Sequence, residues 1–119
     1  MASTKSTPTV LHNDEAVADG GIDETSATWD LVDGYGGTIY VEIVPTGTLT
    51  AGGACQLRAS PDDSTFYDYG GPMVTGLAAV TYTWAVPVDW GVKYLKAVIG
   101  SNTGDICTFR VEGTEVTAS

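Results

Sequence analysis

The feature that most constrains this chain is a period-two alternation of apolar and polar residues that recurs along its 119 residues. It is strongest at residues 80–88, where Val80, Tyr82, Trp84, Val86 and Val88 alternate with Thr81, Thr83, Ala85 and Pro87. In the same way, residues 38–45 set Ile39, Val41 and Ile43 against Tyr40, Glu42 and Val44. Residues 54–60 set Cys55, Leu57 and Ala59 against Gln56, Arg58 and Ser60; residues 93–99 place Leu95, Ala97 and Ile99 on one side. Residues 105–111 do the same with Cys107, Phe109 and Val111, and weaker runs sit at 28–32 and 65–69. Successive side chains of a strand point to opposite faces, so each run is a strand with one apolar face. Turn signals separate the runs: Asp33-Gly34, Gly36-Gly37, Gly52-Gly53, Ser60-Pro61-Asp62-Asp63, Gly70-Gly71-Pro72 and Ser101-Asn102-Thr103-Gly104. No ten-residue window has helical periodicity. Seven or eight strands with one apolar face each must hide those faces against one another. The expected fold is therefore all-β, a two-sheet antiparallel sandwich of Ig-like or jelly-roll topology, both of which the pattern allows.

Charge narrows the partners. The chain carries 15 acidic and 5 basic residues, a formal net charge of −10. A surface this acidic has no general means of neutralising phosphates, and an anionic membrane would repel it, so neither nucleic acid nor membrane is an expected partner. A basic protein surface is the favoured one. No run approaches the length of an apolar membrane span, and the polar start of the chain does not read as a signal peptide, so synthesis in a cytoplasm is expected. The two cysteines, Cys55 and Cys107, both fall on inward faces. They are either packed free thiols or a pair, depending on whether their strands face each other. Without a CxxC pair or a Cys/His cluster, zinc is not expected.

Residues 1–25 differ from the rest. They are rich in Ser, Thr and Asp and hold Asp14, Glu15, Asp19, Asp23 and Glu24, while only Val10 and Leu11 offer much to a core. This stretch reads as a flexible acidic arm with one edge strand at residues 7–12, ahead of a sandwich domain at 26–119. Within it, Thr7, Val10, Leu11 and His12 are the candidates for reaching a neighbouring subunit.

Chemistry finds little purchase. The single histidine, His12, sits in the polar arm and reads as a surface residue with few neighbours to orient it for catalysis. Asp62, Asp63 and Asp68 flank Phe66, Tyr67 and Tyr69, a mixture that glycosidases and sugar-binding sites both use. Asp62-Asp63 follows Pro61 in an evident turn, however, where aspartate bonds nearby backbone N–H groups. The arm's carboxylates lack the spacing of a calcium-binding EF-hand loop. The chain is thus expected to be no enzyme and to need no cofactor or metal. Aromatic residues exceed what the inward faces hold. Tyr67, Tyr69 and the loop residue Trp90 are the candidates for an exposed contact platform beside Asp62 and Asp68.

The run Ser60-Pro61-Asp62-Asp63-Ser64-Thr65-Phe66-Tyr67-Asp68 resembles the SPDGxxWY hairpin of small β-sandwich proteins from tailed bacteriophages. Residues 92–98, the turn 100–104 and the earlier run 35–41 are similar to strands and turns of the same proteins, so the likeness spans roughly residues 30–116. Asp63 stands where glycine is usual and Phe66 where tryptophan is usual, which leaves the turn type open. The resemblance implies a virion component made in the host cytoplasm: a capsid decoration, or cement, protein. Such a protein is a homo-oligomer, dimer or trimer, on the outer surface of the major capsid protein, stabilising the shell. The alternative it implies is a carbohydrate- or receptor-binding module of a phage tail or fibre.

Overall fold

A computed structural model describes residues 3–5, 8–21 and 23–118. Among them there is no helix, and the chain runs through eleven strands. These are β1 (Ser3–Lys5), β2 (Thr9–Val17), β3 (Glu24–Thr25), β4 (Trp29–Asp30), β5 (Gly37–Pro45), β6 (Ala54–Ser60), β7 (Tyr67–Asp68), β8 (Met73–Val74), β9 (Tyr82–Val88), β10 (Tyr94–Gly100) and β11 (Cys107–Ala118). One sheet runs β9-β5-β11, with β2 and β1 one after the other along the far edge of β11. The other has β3 and β4 along one edge of β10, then β6, then β7 and β8. Every pairing is antiparallel.

The fold is the expected two-sheet antiparallel sandwich, and the strand order settles its topology. If β1 is set aside as an extension and β3/β4 and β7/β8 each count as one interrupted strand, β2-β11-β5-β9 faces β3/β4-β10-β6-β7/β8. The chain changes sheet at each step between these strands except from β6 to β7. That order is a jelly roll. The additional strands beyond the expected seven or eight are two- and three-residue pieces at sheet edges.

Inside, the faces predicted by alternation meet. Ile39, Val41 and Ile43 of β5 and Cys107, Phe109 and Val111 of β11 pack against Cys55 and Leu57 of β6 and Leu95, Ala97 and Ile99 of β10. Both cysteines are free and buried. Burial in apolar surroundings pushes the Cys55 thiol up to about 12, so it behaves as a small apolar side chain. Between the sheets, the Trp29 ring of β4 lies over Gly113 of β11, in the space a β-carbon would fill. Only glycine lets the indole close that end of the core.

Two expectations need correction. The stretch expected as an arm is partly sandwich: the nine-residue β2 pairs with β11, and β3 pairs with β10. His12, expected at the surface, is 2% exposed. Its Nε2–H donates to the Ala97 carbonyl of the opposite sheet at 3.0 Å, and its Nδ1 lies 3.2 Å from Glu15 Oε1. A buried polar ring satisfied in this way ties β2 across the sandwich. Conversely β9, the clearest alternating run, is an edge strand with β5 on one side only. Of its apolar face only Val88 is fully buried; Trp84 and Val86 are half covered, and Val80 ahead of the strand is 53% exposed.

Candidate functional site

Strand directions sort the loops into two ends. The starts of β5 and β10 and the ends of β6 and β9 gather residues 31–36, 61–66 and 89–93 at one end. The opposite strand ends gather residues 18–21, 23, 46–53, 75–81 and 101–106.

At the first end, Tyr35 and Trp90 stack with ring centroids 6.2 Å apart and planes 8° from parallel. Sequence separation makes this pair invisible to a local reading; the backbone brings it together. Gly36 has φ +78°, a conformation that side-chain-bearing residues rarely adopt, and a β-carbon there would collide with the Val88–Trp90 backbone. On either side of it, the Tyr35 N–H donates to the Val116 carbonyl at 2.7 Å and the Val116 N–H donates to the Gly36 carbonyl at 2.8 Å. The pair therefore stands on a braced backbone, yet Trp90 remains 72% exposed. Exposed Asp33 and Asp89 flank it in sequence, and the Glu115 side chain lies against Gly34. Burial, and then the neighbouring Asp30 and Asp33 charges, push the Glu115 carboxyl above its ordinary value.

Beside the stack is a shallow hollow of about 290 Å³ lined by residues 59–61, 67–69 and 91–93. It brings together three sequence-predicted residues, Tyr67, Asp68 and Tyr69, and reaches Gly91, the neighbour of the fourth, Trp90. Tyr67 is 61% exposed, whereas Tyr69 packs on the core and its hydroxyl accepts the Asp89 N–H at 3.0 Å, tying the hollow to the Trp90 loop. Asp68 lies 3.5 Å from Arg58 Nε, and Lys96 sits 3.9 Å over the Phe66 ring.

Asp62 does not join the hollow. Its Oδ1 accepts the N–H groups of Ser64 and Thr65, each at 3.0 Å, and the Ser60 hydroxyl. The Thr65 and then the Ser64 N–H hold its carboxyl below the ordinary range. Asp63 follows with φ +59°, so it adopts the left-handed conformation for which glycine is usual in the hairpin it resembles.

Of the arm candidates, Thr7 lies outside the described residues. Val10 is exposed, Leu11 is half-buried against the core, and His12 is occupied inside the sandwich and is not available to a partner. The acids of the expected arm are partly structural. Asp19 Oδ1 accepts the Gly104 N–H, and Asp23 Oδ1 accepts the Ser101 N–H, both at 2.8 Å. Asp14 forms an ion pair with Arg110 at 3.4 Å. No cluster of three or more His, Cys, Asp or Glu that would hold a metal occurs among the described residues. A second depression, about 310 Å³, lies between β5, β9 and β11, but its one cation, Arg110, is already engaged by Asn13, Asp14 and Glu112.

No protein-family model matches the sequence, and no curated protein matches it. Among solved structures, the chain is similar to the K1 cleaved adhesin domain of Lys-gingipain from Porphyromonas gingivalis W83. The TM-score is 0.53 at 10% identity, covering 100% of this chain and 99% of that one. The K3 cleaved adhesin domain of the same protein has a TM-score of 0.49 at 13% identity, covering 93% of this chain and 73% of that one. The K1 likeness is one of fold.

Proposed function

We propose that this chain is a non-catalytic binding module of a virion, a capsid decoration protein that holds the outer surface of the major capsid protein through its aromatic end. The observation that carries this reading is the Tyr35–Trp90 stack, exposed yet fixed by the Gly36 backbone, with the Tyr67 hollow beside it. Exposed aromatic side chains on a rigid scaffold lose little conformational entropy on binding and are typical interface anchors. The hairpin resemblance at residues 60–68 supplies the virion context. The buried, poorly ionised Cys55 and the backbone-bound Asp62 are poor starting points for catalysis.

The test adds purified protein to empty expanded shells. Cosedimentation and a raised shell melting temperature are expected, both lost on Trp90→Ala. Absence of binding by folded protein rejects the reading.

A second reading, a carbohydrate- or receptor-binding module of a tail or fibre, is favoured by the hollow that Tyr67, Asp68 and Tyr69 line together. Copy number separates the two, because hundreds per particle fit a shell and a handful fit a tail. Unchanged host adsorption after Tyr67→Ala would remove the second.

A further inference from the structure

We propose that the Tyr35–Trp90 end receives an arginine side chain from the surface of a partner protein. This deepens the reading above and rests on it for the setting, though not for the chemistry. One side of the Trp90 indole faces Tyr35, and its 72% exposure leaves the other open to solvent. The π-face of an indole carries partial negative charge and attracts a cation lying over it. The charged residues nearest in sequence to the stack are Asp33 and Asp89, both exposed, and Asp30 and Glu115 lie close behind. Of the nearby cations, Arg58 is engaged by Asp68 and the Phe66 carbonyl, and Lys96 by the Phe66 ring; Lys93 lines the hollow rather than the stack. An anion or an anionic surface meets repulsion here; a neutral sugar stacks on the indole and donates hydroxyls to the carboxylates, but draws nothing from the surrounding negative charge. A guanidinium uses both features together: its plane stacks on the indole while its N–H edge meets carboxylates. An ammonium, compact and strongly hydrated, is drawn to the ring face as well, but it neither stacks on the indole as a plane nor presents a fork of N–H groups to the carboxylates, so it gains less. The net charge of −10 favours the approach of such a partner at long range.

The experiment measures the salt needed to elute the protein from a resin bearing immobilised arginine and from one bearing lysine. Bulk charge acts on both, so the variants isolate the site. Trp90→Ala should weaken retention on arginine by about two- to fivefold and retention on lysine by clearly less. Asp89→Asn and Glu24→Gln each remove one negative charge from an exposed residue, yet Asp89→Asn should elute earlier because only Asp89 adjoins the stack. Equal losses on both resins for Trp90→Ala, or coincident elution of Asp89→Asn and Glu24→Gln, would overturn the proposal. The same variants tested on expanded shells keep the two readings distinguishable. Arginine selectivity without shell binding removes the shell reading alone, and shell binding without arginine selectivity removes the present one alone.

Discussion

The two ends of the sandwich are built from similar turn residues and use them in opposite ways. At one end, Asp19, Gly20 and Asp23 clasp the turn between β10 and β11: Asp19 and Asp23 accept its N–H groups, and the Gly20 N–H donates to the Asn102 carbonyl at 3.1 Å. Asp105 accepts the Thr46 hydroxyl at 2.7 Å and the Ile106 N–H at 2.8 Å, and Thr50 and Thr103 bond each other. Polar side chains there are consumed by the fold. At the other end the backbone is equally well braced, through Tyr35, Gly36 and Val116, but the aromatic side chains it carries are turned out to solvent. The difference teaches where to look for function in a chain like this. A loop whose side chains close its own hydrogen bonds is spent on stability, and a braced loop that leaves large apolar rings uncovered retains surface for recognition.

The largest effect should come from the clasp. Asn102 is buried, and its Nδ2 donates to the carbonyls of Val17 and Asp105 at 3.0 and 2.9 Å. Those oxygens can only accept, which fixes the amide orientation. Asn102→Ala leaves them buried without that donor and should cost about 2–4 kcal/mol of unfolding free energy, measured by urea denaturation. A loss within about 0.5 kcal/mol, the range of an ordinary surface substitution, would break the comparison by showing that the clasp is decorative.

A smaller loss is expected from the bracing of the aromatic end. Gly36→Ala introduces a β-carbon against the Val88 carbonyl and the Trp90 N–H at a φ unfavourable for alanine. Backbone strain of this kind costs on the order of 1–3 kcal/mol. The near-ultraviolet circular dichroism of the stacked rings should weaken as well. An unchanged spectrum would mean that Gly36 does not hold the stack.

Much of the sandwich is legible in the sequence because alternation is imposed by the pleat itself. Residues 54–60 form a strand with the predicted bounds, and Cys107, Phe109 and Val111 point inward as the count requires. The edge β2 escapes the same count. Asp14 has φ +49°, and the register with β11 slips nearby, so His12 pairs opposite Val111 while Glu15 and Val17 pair opposite Phe109 and Cys107. Residues of both parities thus face β11's buried side. A bulge resets the period and makes a paired strand look like polar coil. For β9 the error is reversed: alternation registers two unlike faces but not how far the opposite sheet reaches over one of them. At the site, Tyr67, Tyr69 and Trp90 are readable as surplus aromatics. Tyr35 as the partner of Trp90 is not, since a contact across 55 positions depends on the jelly-roll strand order that places the two loops together.

The ends also differ in their response to pH. Bonds from the Thr46 hydroxyl and then the Ile106 N–H hold Asp105 below its ordinary value of 3.8. Its contribution is therefore present above that value and is lost as pH falls through the lower folded one. Glu115 has the opposite sign. Its folded value is raised above 4.5, so its contribution is complete below that pH and is lost as pH rises through the folded value. Glu115→Gln removes the term. The melting temperature of the variant relative to the parent should improve between about pH 4 and pH 7. A difference that stays flat or declines over that range would remove the electrostatic crowding of Asp30, Asp33 and Glu115 from the account of this end.

The smallest effect on stability is expected at Trp90, the residue proposed to anchor a partner. Trp90 is a large apolar side chain, but its exposure means that folding withdraws little of it from water, and one parallel ring contact contributes only about 0.5–1.5 kcal/mol even when well formed. At this exposure, Trp90→Ala should shift the unfolding free energy by no more than about 0.5 kcal/mol, within the range of ordinary surface changes. Binding to its target should fall by far more, because an anchor at the centre of an interface is covered only when the partner arrives. Denaturation and binding must be measured on the same preparation. If Trp90→Ala unfolds the protein as readily as Asn102→Ala does, the ring is part of the fold, and the two ends do not divide stability from recognition. If stability holds and binding is lost, the indole is left uncovered for a partner that supplies the missing contact.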